Sequence, residues 1–301
     1  MSRTDQTGSD KRLKLEFWGV RGSVATPESD KLRTGGNTPC TVLQYGSEPL
    51  VIIDAGTGLR LLGRQLTSPE TDVLQASILF SHFHWDHIQG LPFFGPIYSH
   101  HAKLQLYSTL KAESLQKIVE LQMNPPFFPL PLKNTPAVRS YNQTPTRGCK
   151  LGSLTITPVR LSHPGGASGY RLESPAGSVI YVSDHEHGNA AIDDAIAEHA
   201  AGADILIYDA HFTPDEYERS YKGWGHSTWR EGARLANRAA VGELILFHHS
   251  PDRTDRELPT ILADARLEFA NTEIARENQP ILLARDRGLG AQPVTVKQRR
   301  A

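Results

Sequence analysis

The sequence has little cysteine and no excess of charge of either sign. Its 301 residues include only two cysteines, Cys40 and Cys149, far apart and in no CxxC pair, which argues against a disulfide framework and against a zinc ribbon. Lysine and arginine together number 32, against 33 aspartates and glutamates. No global positive field therefore marks the chain as a binder of nucleic acid or of a membrane surface, although local patches remain possible.

Long hydrophobic runs are absent as well. No run approaches the roughly 18 apolar residues of a membrane span, and the N-terminal MSRTDQTGSDKRLK is polar where a signal peptide needs an apolar core. We therefore expect a soluble protein, with the cytoplasm as its default location. Hydrophobic residues make up 39% and charged residues 22% of the chain, the ordinary make-up of a globular protein.

The apolar pattern predicts an α/β protein. Apolar spacing at three and four predicts helices at 112–123, 189–200, 227–240 and from about Pro259 to Asn271. Strand follows strand in the first half, whereas strand and helix alternate in the second, which favours two mixed sheets covered by helices over one doubly wound parallel sheet. Runs rich in β-branched and aromatic residues predict the strands: LKLEFWG, CTVLQYG, PLVIIDAG, ASILFSH, KLQLYST, SLTITPVRLSH, ASGYRLES, GSVIYVSD, ADILIYDA and ELILFHH.

We expect one structured domain over residues 12–290, between a disordered head at 1–11 and a short, basic, solvated tail at 291–301. Within the domain, NPPFFPLPLKNTP at 124–136 contains five prolines, which block ladder and helix hydrogen bonds and predict an extended loop. Its two phenylalanines, Phe127 and Phe128, serve either as a lid or as anchors on the body of the protein.

The stretch SHFHWDHIQGLPFF, at 81–94, places four polar side chains directly after the apolar run ASILF. These are His82, His84, Asp86 and His87. Imidazole and carboxylate groups are costly to bury unless each finds a partner. A metal centre would satisfy them together, whereas a metal-free core would need four separate hydrogen-bond partners.

Further histidines and aspartates also stand where predicted strands end. Strand ends in mixed sheets converge on one rim, where ligands and metals are commonly held. Five histidines and two aspartates suit a dinuclear site, and a nitrogen-rich set favours zinc over calcium or magnesium; a single structural metal is the alternative. The additional candidates are His163 in RLSHPGG, Asp184 in YVSDHEHG, and His248 or His249 in LILFHHSP.

The motif HFHWDH resembles the HxHxDH signature of the metallo-β-lactamase superfamily. IDAGTG at 53–58, His163, Asp184 and LFHHSP continue the resemblance over nearly the whole chain. The resemblance implies an αββα sandwich in which Asp54 supports the ligand loop without touching metal. The L-x-H-x-S pattern selects His248 as a ligand and leaves His249 beside the site. By the family pattern one ion is held by His82, His84 and His163, the other by Asp86, His87 and His248, and Asp184 bridges the two.

Two further segments resemble the phosphodiesterase branch that includes RNase Z. They are GLPFF, directly after the metal motif, and GHSTWREGARLA at 225–236. The resemblance implies that His226 assists phosphodiester cleavage and that Asp209, where relatives carry glutamate, orients it. Alternatively, GHST is only a glycine turn and helix cap.

The segments GVRGSVATP and RTGGNTPC are similar to those of bacterial 3′,5′-cyclic-nucleotide phosphodiesterases of this fold. RNase Z proper carries a long tRNA-gripping arm, for which the 20 residues between His163 and Asp184 leave no room. The resemblance implies hydrolysis of cyclic nucleotides to 5′-monophosphates by a hydroxide bridging two zinc or manganese ions, with Asp86 essential. A tRNA 3′-end endonuclease, a catalytically weak nucleotide sensor and lactone or lactam hydrolysis are the alternatives. The relatives also make a homodimer plausible.

Substrate contacts are the least determined part of the prediction. Phe127 and Phe128 could stack on a base, and Arg21, Arg33 or Arg171 could pair with phosphate, although surface arginines are usually only solvated. His185 is expected beside the ligands, and His211 is given no role.

Overall fold

The computed structural model describes residues 11–67 and 74–285 together with the backbone of residues 294–297. In this part of the chain the strands form two sheets. The first contains β1 Leu13–Gly19, β2 Cys40–Tyr45, β3 Leu50–Ile53, β4 Leu74–Leu79, β5 Ala102–Ser108 and β6 Val138–Gln143. The second contains β7 Cys149–Leu151, β8 Leu154–Leu161, β9 Ala167–Ser174, β10 Gly177–Val182, β11 Ile205–Asp209, β12 Glu243–Phe247 and β13 Thr272–Ile274. The strands β14 Ile281–Ala284 and β15 Val294–Lys297 return to the first sheet.

Both sheets are mixed. The first has the order β15-β14-β1-β2-β3-β4-β5-β6, antiparallel from β15 to β3 and parallel from β3 to β6. The second has the order β13-β12-β11-β10-β9-β8-β7, parallel from β13 to β10 and antiparallel from there on. This topology confirms the predicted pair of mixed sheets.

The described part of the chain contains seven helices. They are α1 Gly58–Leu66, α2 Trp85–Ile88, α3 Ala112–Gln122, α4 Ala190–Ala200, α5 Pro214–Glu216, α6 Trp229–Arg238 and α7 Leu258–Glu268. Of these, α1 and α3 cover the outer face of the first sheet and α4, α6 and α7 that of the second. Short 3₁₀ turns occur at Leu91–Phe93, Gly95–Tyr98 and Leu132–Asn134, and a π turn at Tyr217–Tyr221. None of the described helices is long and apolar enough to cross a membrane.

Three apolar clusters account for the layering. One lies between the sheets and includes Leu15, Ile207 and Phe247. A second joins the first sheet to α1 and α3, and a third joins the second sheet to α4, α6 and α7. Central strands such as β11 and β12 are buried along their whole length, because one face meets the opposite sheet and the other meets helices. The result is the predicted αββα sandwich.

The chain ends and the proline-rich segment differ in part from expectation. The predicted head falls almost entirely on residues 1–10, which lie outside the described part of the chain. Within the predicted tail, residues 294–297 form β15 against β14. The segment 124–136 is not wholly extended, since it contains the 3₁₀ turn at Leu132–Asn134.

Two leucines offer a matched test of this layering. Leu206 of β11 is fully buried beneath the helices, whereas Leu267 on α7 is 88% exposed. We expect Leu206→Ala to lower the free energy of unfolding by about 2 to 5 kcal/mol through lost burial and the cavity left behind. Leu267→Ala should change it by less than about 0.5 kcal/mol. Urea denaturation followed by circular dichroism measures both, and equal losses would contradict the assigned core.

Candidate functional site

The candidate residues stand on loops at one edge of the sandwich. Strands β8, β10, β11 and β12 run in the same direction, because β9 is antiparallel to both β8 and β10. Their carboxyl ends therefore open onto the same edge, where the loop after β4 joins them. The loops supply, in chain order, the segment 81–87 after β4, His163 after β8, Asp184 after β10, His211 after Asp209 at the end of β11, and His248 after β12.

Three histidines form the first cluster. One ring nitrogen each of His82, His84 and His163 lies within 4.8 Å of the other two, and Nδ1 of His84 lies 3.0 Å from Nε2 of His163. The other nitrogen of His163, Nδ1, lies 2.7 Å from the carbonyl oxygen of Gly225. Because a carbonyl can only accept, Nδ1 carries the hydrogen and Nε2 of His163 faces the cluster with its lone pair.

The second cluster combines carboxylates with imidazoles. Nε2 of His87 lies 3.3 Å from Oδ2 of Asp86 and 3.1 Å from Oδ2 of Asp184. Nε2 of His248 lies 3.4 Å from each of the same two oxygens. All four residues are buried.

The Asp184 carboxylate lies between the two clusters. Its Oδ2 belongs to the second cluster, whereas its Oδ1 lies 3.8 Å from Nε2 of His82 and 3.9 Å from Nε2 of His163. Asp184, two residues after the end of β10, has a positive φ of 59°. The turn thus presents one carboxylate oxygen to each cluster, the arrangement that a bridging ligand requires.

This donor set fits divalent metal ions. Nε2 of His82 is buried without a hydrogen-bond partner, a costly state for protein alone. Burial lowers the pKa of His82 and of His163. Burial would raise the pKa of the Asp86 and Asp184 carboxyls, but neighbouring imidazoles hold both well below the usual range. Neutral imidazole and ionised carboxylate are the forms that ligate metal.

His87 is the exception in protonation. Its burial would lower its pKa, but the charges of Asp184, Asp86 and Asp54 raise it well above the ordinary value. A cation in the second cluster would compete with that proton for Nε2.

Asp54 holds the ligand loop from behind. It is fully buried, and its Oδ1 accepts a hydrogen bond from the backbone nitrogen of Ser81 at 2.8 Å. Its Oδ2 accepts hydrogen bonds from Oγ of Ser81, the hydroxyl of Tyr181 and Nδ1 of His87. Since Nδ1 of His87 is thereby engaged, Nε2 is the nitrogen directed at the second cluster.

Two glycines that the sequence left without a site role make close approaches here. A Cβ on Gly22 would lie 2.6 Å from Nδ1 of His248, and the next residue, Ser23, donates its backbone N–H to Oδ2 of Asp86 at 2.8 Å. A Cβ on Gly225, at a φ of +87°, would lie 2.5 Å from Nδ1 of His163. The segments GVRGS and GWGHST thus contact the clusters. Their glycines are the sequence feature from which this close contact could have been predicted.

His226 and Asp209 form a pair beside the first cluster. Nδ1 of His226 lies 2.9 Å from Oδ2 of Asp209 and 3.9 Å from Oδ1 of Asp184. Burial would lower the pKa of His226, but the charge of Asp209 and this hydrogen bond raise it to about 9. His226 also precedes α6, whose N-cap is Thr228. The structure thus brings together the two residues that the sequence paired.

The two adjacent histidines after β12 face different ways. His248 enters the second cluster, whereas Nε2 of His249 lies 3.2 Å from the carbonyl oxygen of Ala275. Burial lowers the pKa of His249 to about 3. His249 is therefore a neutral residue turned away from the clusters.

The prediction that Arg21 binds phosphate is wrong. Arg21 is fully buried, and its guanidinium donates hydrogen bonds to the backbone carbonyls of Gly35, Ser250, Arg253 and Lys31. An arginine that is fully buried and donates to four backbone carbonyls holds loops together and does not present its guanidinium to a substrate. Arg33 and Arg171 likewise bind the carbonyls of Asp255 and His199.

The two phenylalanines of the proline-rich segment behave differently. Phe128 packs against the outer core of the first sheet and lies 5.9 Å from Phe93, ring centre to ring centre. Phe127 is 60% exposed, and its ring centre lies 6.4 Å from that of Trp85, which is 62% exposed although it stands between His84 and Asp86. Phe128 is thus an anchor, and Phe127 forms an exposed aromatic pair with Trp85.

His211 and His185, outside the ligand set, also lie at this edge. The ring of His211 stacks on that of His226, with centres 4.5 Å apart and planes 17° apart. His185, expected beside the ligands, accepts a hydrogen bond through Nδ1 from the backbone nitrogen of Ser162, next to His163, at 3.2 Å, and its Nε2 contacts Asp193 at 3.1 Å. The sequence could have indicated His211 as a site residue, because it follows a predicted strand closely. The same criterion, a histidine at a strand end, selected His163 and His248.

Comparison with known proteins gives consistent matches. Residues 50–249 match the beta-lactamase superfamily domain. A ribonuclease Z of Thermoplasma acidophilum is 26% identical over 305 residues, covering 86% of this chain and 93% of the relative.

Two solved structures match over nearly their whole length. The metallo-beta-lactamase fold protein YhfI of Bacillus subtilis has a TM-score of 0.69 and 20% identity, covering 90% of this chain and 99% of its own. A diphosphatase from the PhnP family has a TM-score of 0.66 and 21% identity, covering 91% and 100%. These similarities establish the fold.

The contact between Asp54 and His87 generates a test of metal binding. Asp54→Asn keeps the shape of the side chain but removes the charge that orients His87, so we expect zinc affinity to fall about 10- to 100-fold. Titration against a chromophoric chelator measures this. Asp264→Asn, on an exposed position of α7, is the control and should bind zinc as the parent does. Unchanged affinity in Asp54→Asn would contradict the assigned role of Asp54.

Proposed function

The chain belongs to the beta-lactamase superfamily, and from that premise we propose that it is a metal-dependent phosphodiesterase that hydrolyses 3′,5′-cyclic nucleotides to 5′-monophosphates. The observation that carries this proposal is the His226–Asp209 pair beside two clusters bridged by Asp184. A histidine that a buried carboxylate keeps protonated is a proton donor, which cleavage to a ribose oxygen needs.

In this proposal each cluster holds one cation. His82, His84 and His163 hold the first, while Asp86, His87 and His248 hold the second and Asp184 contacts both. When bound, the two cations would supply a water of lowered pKa and would neutralise charge on the phosphoryl group. The nitrogen-rich donors favour zinc, with manganese as the alternative.

The reaction adds one water to phosphorus and breaks the bond to the 3′ oxygen. Asp209 engages Nδ1 of His226, so Nε2 is the nitrogen that donates its proton to the departing oxygen. Asp86 contacts both imidazoles of the second cluster through Oδ2, and its loss would disable that cluster. A positioned acid contributes about 10²- to 10⁴-fold to the rate.

The segments that connect the candidate ligands favour a small substrate. The residues from His163 to Asp184 form the hairpin of β9 and β10, and those from Asp184 to β11 form α4 and its turns. Neither stretch contains a projecting arm that could grip a folded RNA. The near balance of acidic and basic residues agrees with this, because RNA binding relies on phosphate contacts from basic side chains.

The exposed pair of Trp85 and Phe127 supplies a surface for the base. Trp85 lies between two proposed ligands, and Phe127 is held outward while Phe128 anchors the loop. Aromatic rings beside a phosphate-binding centre bind a nucleobase by stacking.

A tRNA 3′-end endonuclease is the second candidate, because a similar protein is a ribonuclease Z. Cleavage of precursor tRNA at the 3′ end by the purified protein would favour it. A sensor that binds nucleotides without turnover would keep affinity for cyclic nucleotides and release no monophosphate. We also propose that the protein forms a homodimer, which sedimentation would detect as twice the mass of one chain.

Hydrolysis of 3′,5′-cyclic mononucleotides is the direct test of the function. We expect the zinc- or manganese-loaded protein to release 5′-monophosphates, detected by chromatography. His226→Ala should lower kcat about 10²- to 10⁴-fold because the departing oxygen loses its acid, and Asp86→Ala should abolish turnover. An Asp86→Ala protein of full activity, or a parent that cleaves precursor tRNA but no cyclic nucleotide, would overturn the proposal.

Truncating the aromatic pair tests base recognition. Trp85→Ala and Phe127→Ala should each raise KM for a cyclic nucleotide about 5-fold or more, since a stacked base contributes about 1 to 3 kcal/mol, with little change in kcat. Leu121→Ala is the control because Leu121, on α3, is equally exposed at 60%. An unchanged KM in both aromatic variants would remove the base from this surface.

A further inference from the structure

His211 is a buried residue for which the proposed reaction has no role. It lies two positions after Asp209, at the end of β11, and only 6% of it is exposed. Its ring is nevertheless in contact with the ring of the proposed acid, His226.

His211 is fixed at two points of its own. Its backbone nitrogen donates a hydrogen bond to Oδ1 of Asp209 at 3.1 Å, and its Nδ1 lies 3.0 Å from the carbonyl oxygen of His248. Because a carbonyl only accepts, Nδ1 carries a hydrogen. Asp209 therefore holds His226 with one carboxylate oxygen and the backbone of His211 with the other.

The hydrogen bond to Asp209 fixes Nδ1 of His226, and the covalent Cβ–Cγ bond fixes the adjacent ring atom. These two points leave the far edge of the ring, which carries Nε2, the part of the imidazole that can still pivot. The ring of His211 lies 4.5 Å from that of His226 at 17°, and the ring of His248 lies 5.0 Å away at 26°. These two rings limit the pivot.

The close packing of His211 and His248 depends on the absence of a side chain at Gly22. A Cβ there would lie 2.6 Å from Nδ1 of His248 and 2.8 Å from Nδ1 of His211. Any larger residue at this position would displace one or both of these histidine rings.

We propose that His211 is a positioning residue for His226: its ring fixes the plane of the His226 imidazole, as Asp209 fixes its edge, so that the Nε2 proton meets the departing oxygen. The inference rests on the proposed function, since it presupposes that His226 protonates a leaving group. Misplacement of a catalytic group by a fraction of an ångström is enough to lower its contribution.

The test is the dependence of the rate on the leaving group. A diester with a good leaving group, such as methyl 4-nitrophenyl phosphate, needs no proton at the departing oxygen, whereas methyl phenyl phosphate does. In His211→Ala we expect kcat for the phenyl diester to fall about 10-fold or more and kcat for the nitrophenyl diester to change less than about 2-fold, with KM unchanged for both.

Two further variants separate positioning from general stability. His211→Phe keeps a ring face against His226 but cannot donate to the His248 carbonyl, so it should recover part of the phenyl-diester activity. His187→Ala is the matched control, because the His187 ring lies 4.5 Å from that of Tyr217 and its Nδ1 contacts Ser227, the residue after His226. It should leave the ratio of the two rates unchanged.

Several outcomes would overturn the inference. Equal losses on both diesters would indicate a structural role, and loss of one bound zinc in His211→Ala would make His211 a ligand. An unchanged ratio of the two rates in a folded His211→Ala protein would also contradict it. If the parent hydrolyses the aryl diesters but no cyclic nucleotide, only the proposed substrate falls. If the unsubstituted protein hydrolyses neither the aryl diesters nor cyclic nucleotides, both the proposed function and this inference are wrong.

Discussion

The buried carboxylate of Asp184 requires the loops around it to supply polar or charged partners. An ionised carboxylate that is 1% exposed is tolerable only if charged or polar groups surround it closely. Loops from both sheets meet this demand by bringing imidazoles to within 4 Å of its two oxygens. Because each oxygen faces a different set of histidines, one residue divides the edge of the sandwich into two clusters. The parallel ends of β8, β10 and β12 are what make this meeting possible.

Behind the clusters, a layer of residues fixes which atom of each imidazole is available. Asp54 engages the far nitrogen of His87, the carbonyl of Gly225 engages that of His163, and Asp209 engages that of His226. Each contact decides a tautomer as well as an orientation. The backbone of the site is strained as well: Asp54 in this layer and the candidate ligands Asp184 and His248 all have positive φ, a backbone state that side chains rarely adopt without compensation.

The path of the chain between the candidate ligands also bears on the proposed substrate. The residues from His163 to the start of β11 are taken up by β9, β10, α4 and their turns, and an exposed aromatic pair lies beside the candidate ligands. These two features are the ones on which the proposal of a compact diester depends. Arg21, predicted from the sequence to bind phosphate, instead donates to backbone carbonyls of the loops that it holds together.

The sequence alone determined the two mixed sheets, four of the helices within a few residues, and the candidate ligands, because strand patterns and HxHxDH are local signals. It also paired His226 with Asp209 through a resemblance. Only the tertiary structure decided that Arg21 is buried, that Phe128 anchors while Phe127 stays exposed, and that His211 stacks on His226. Burial and ring stacking arise between segments distant in the chain, so no pattern within one segment can encode which side chain meets solvent and which meets another ring.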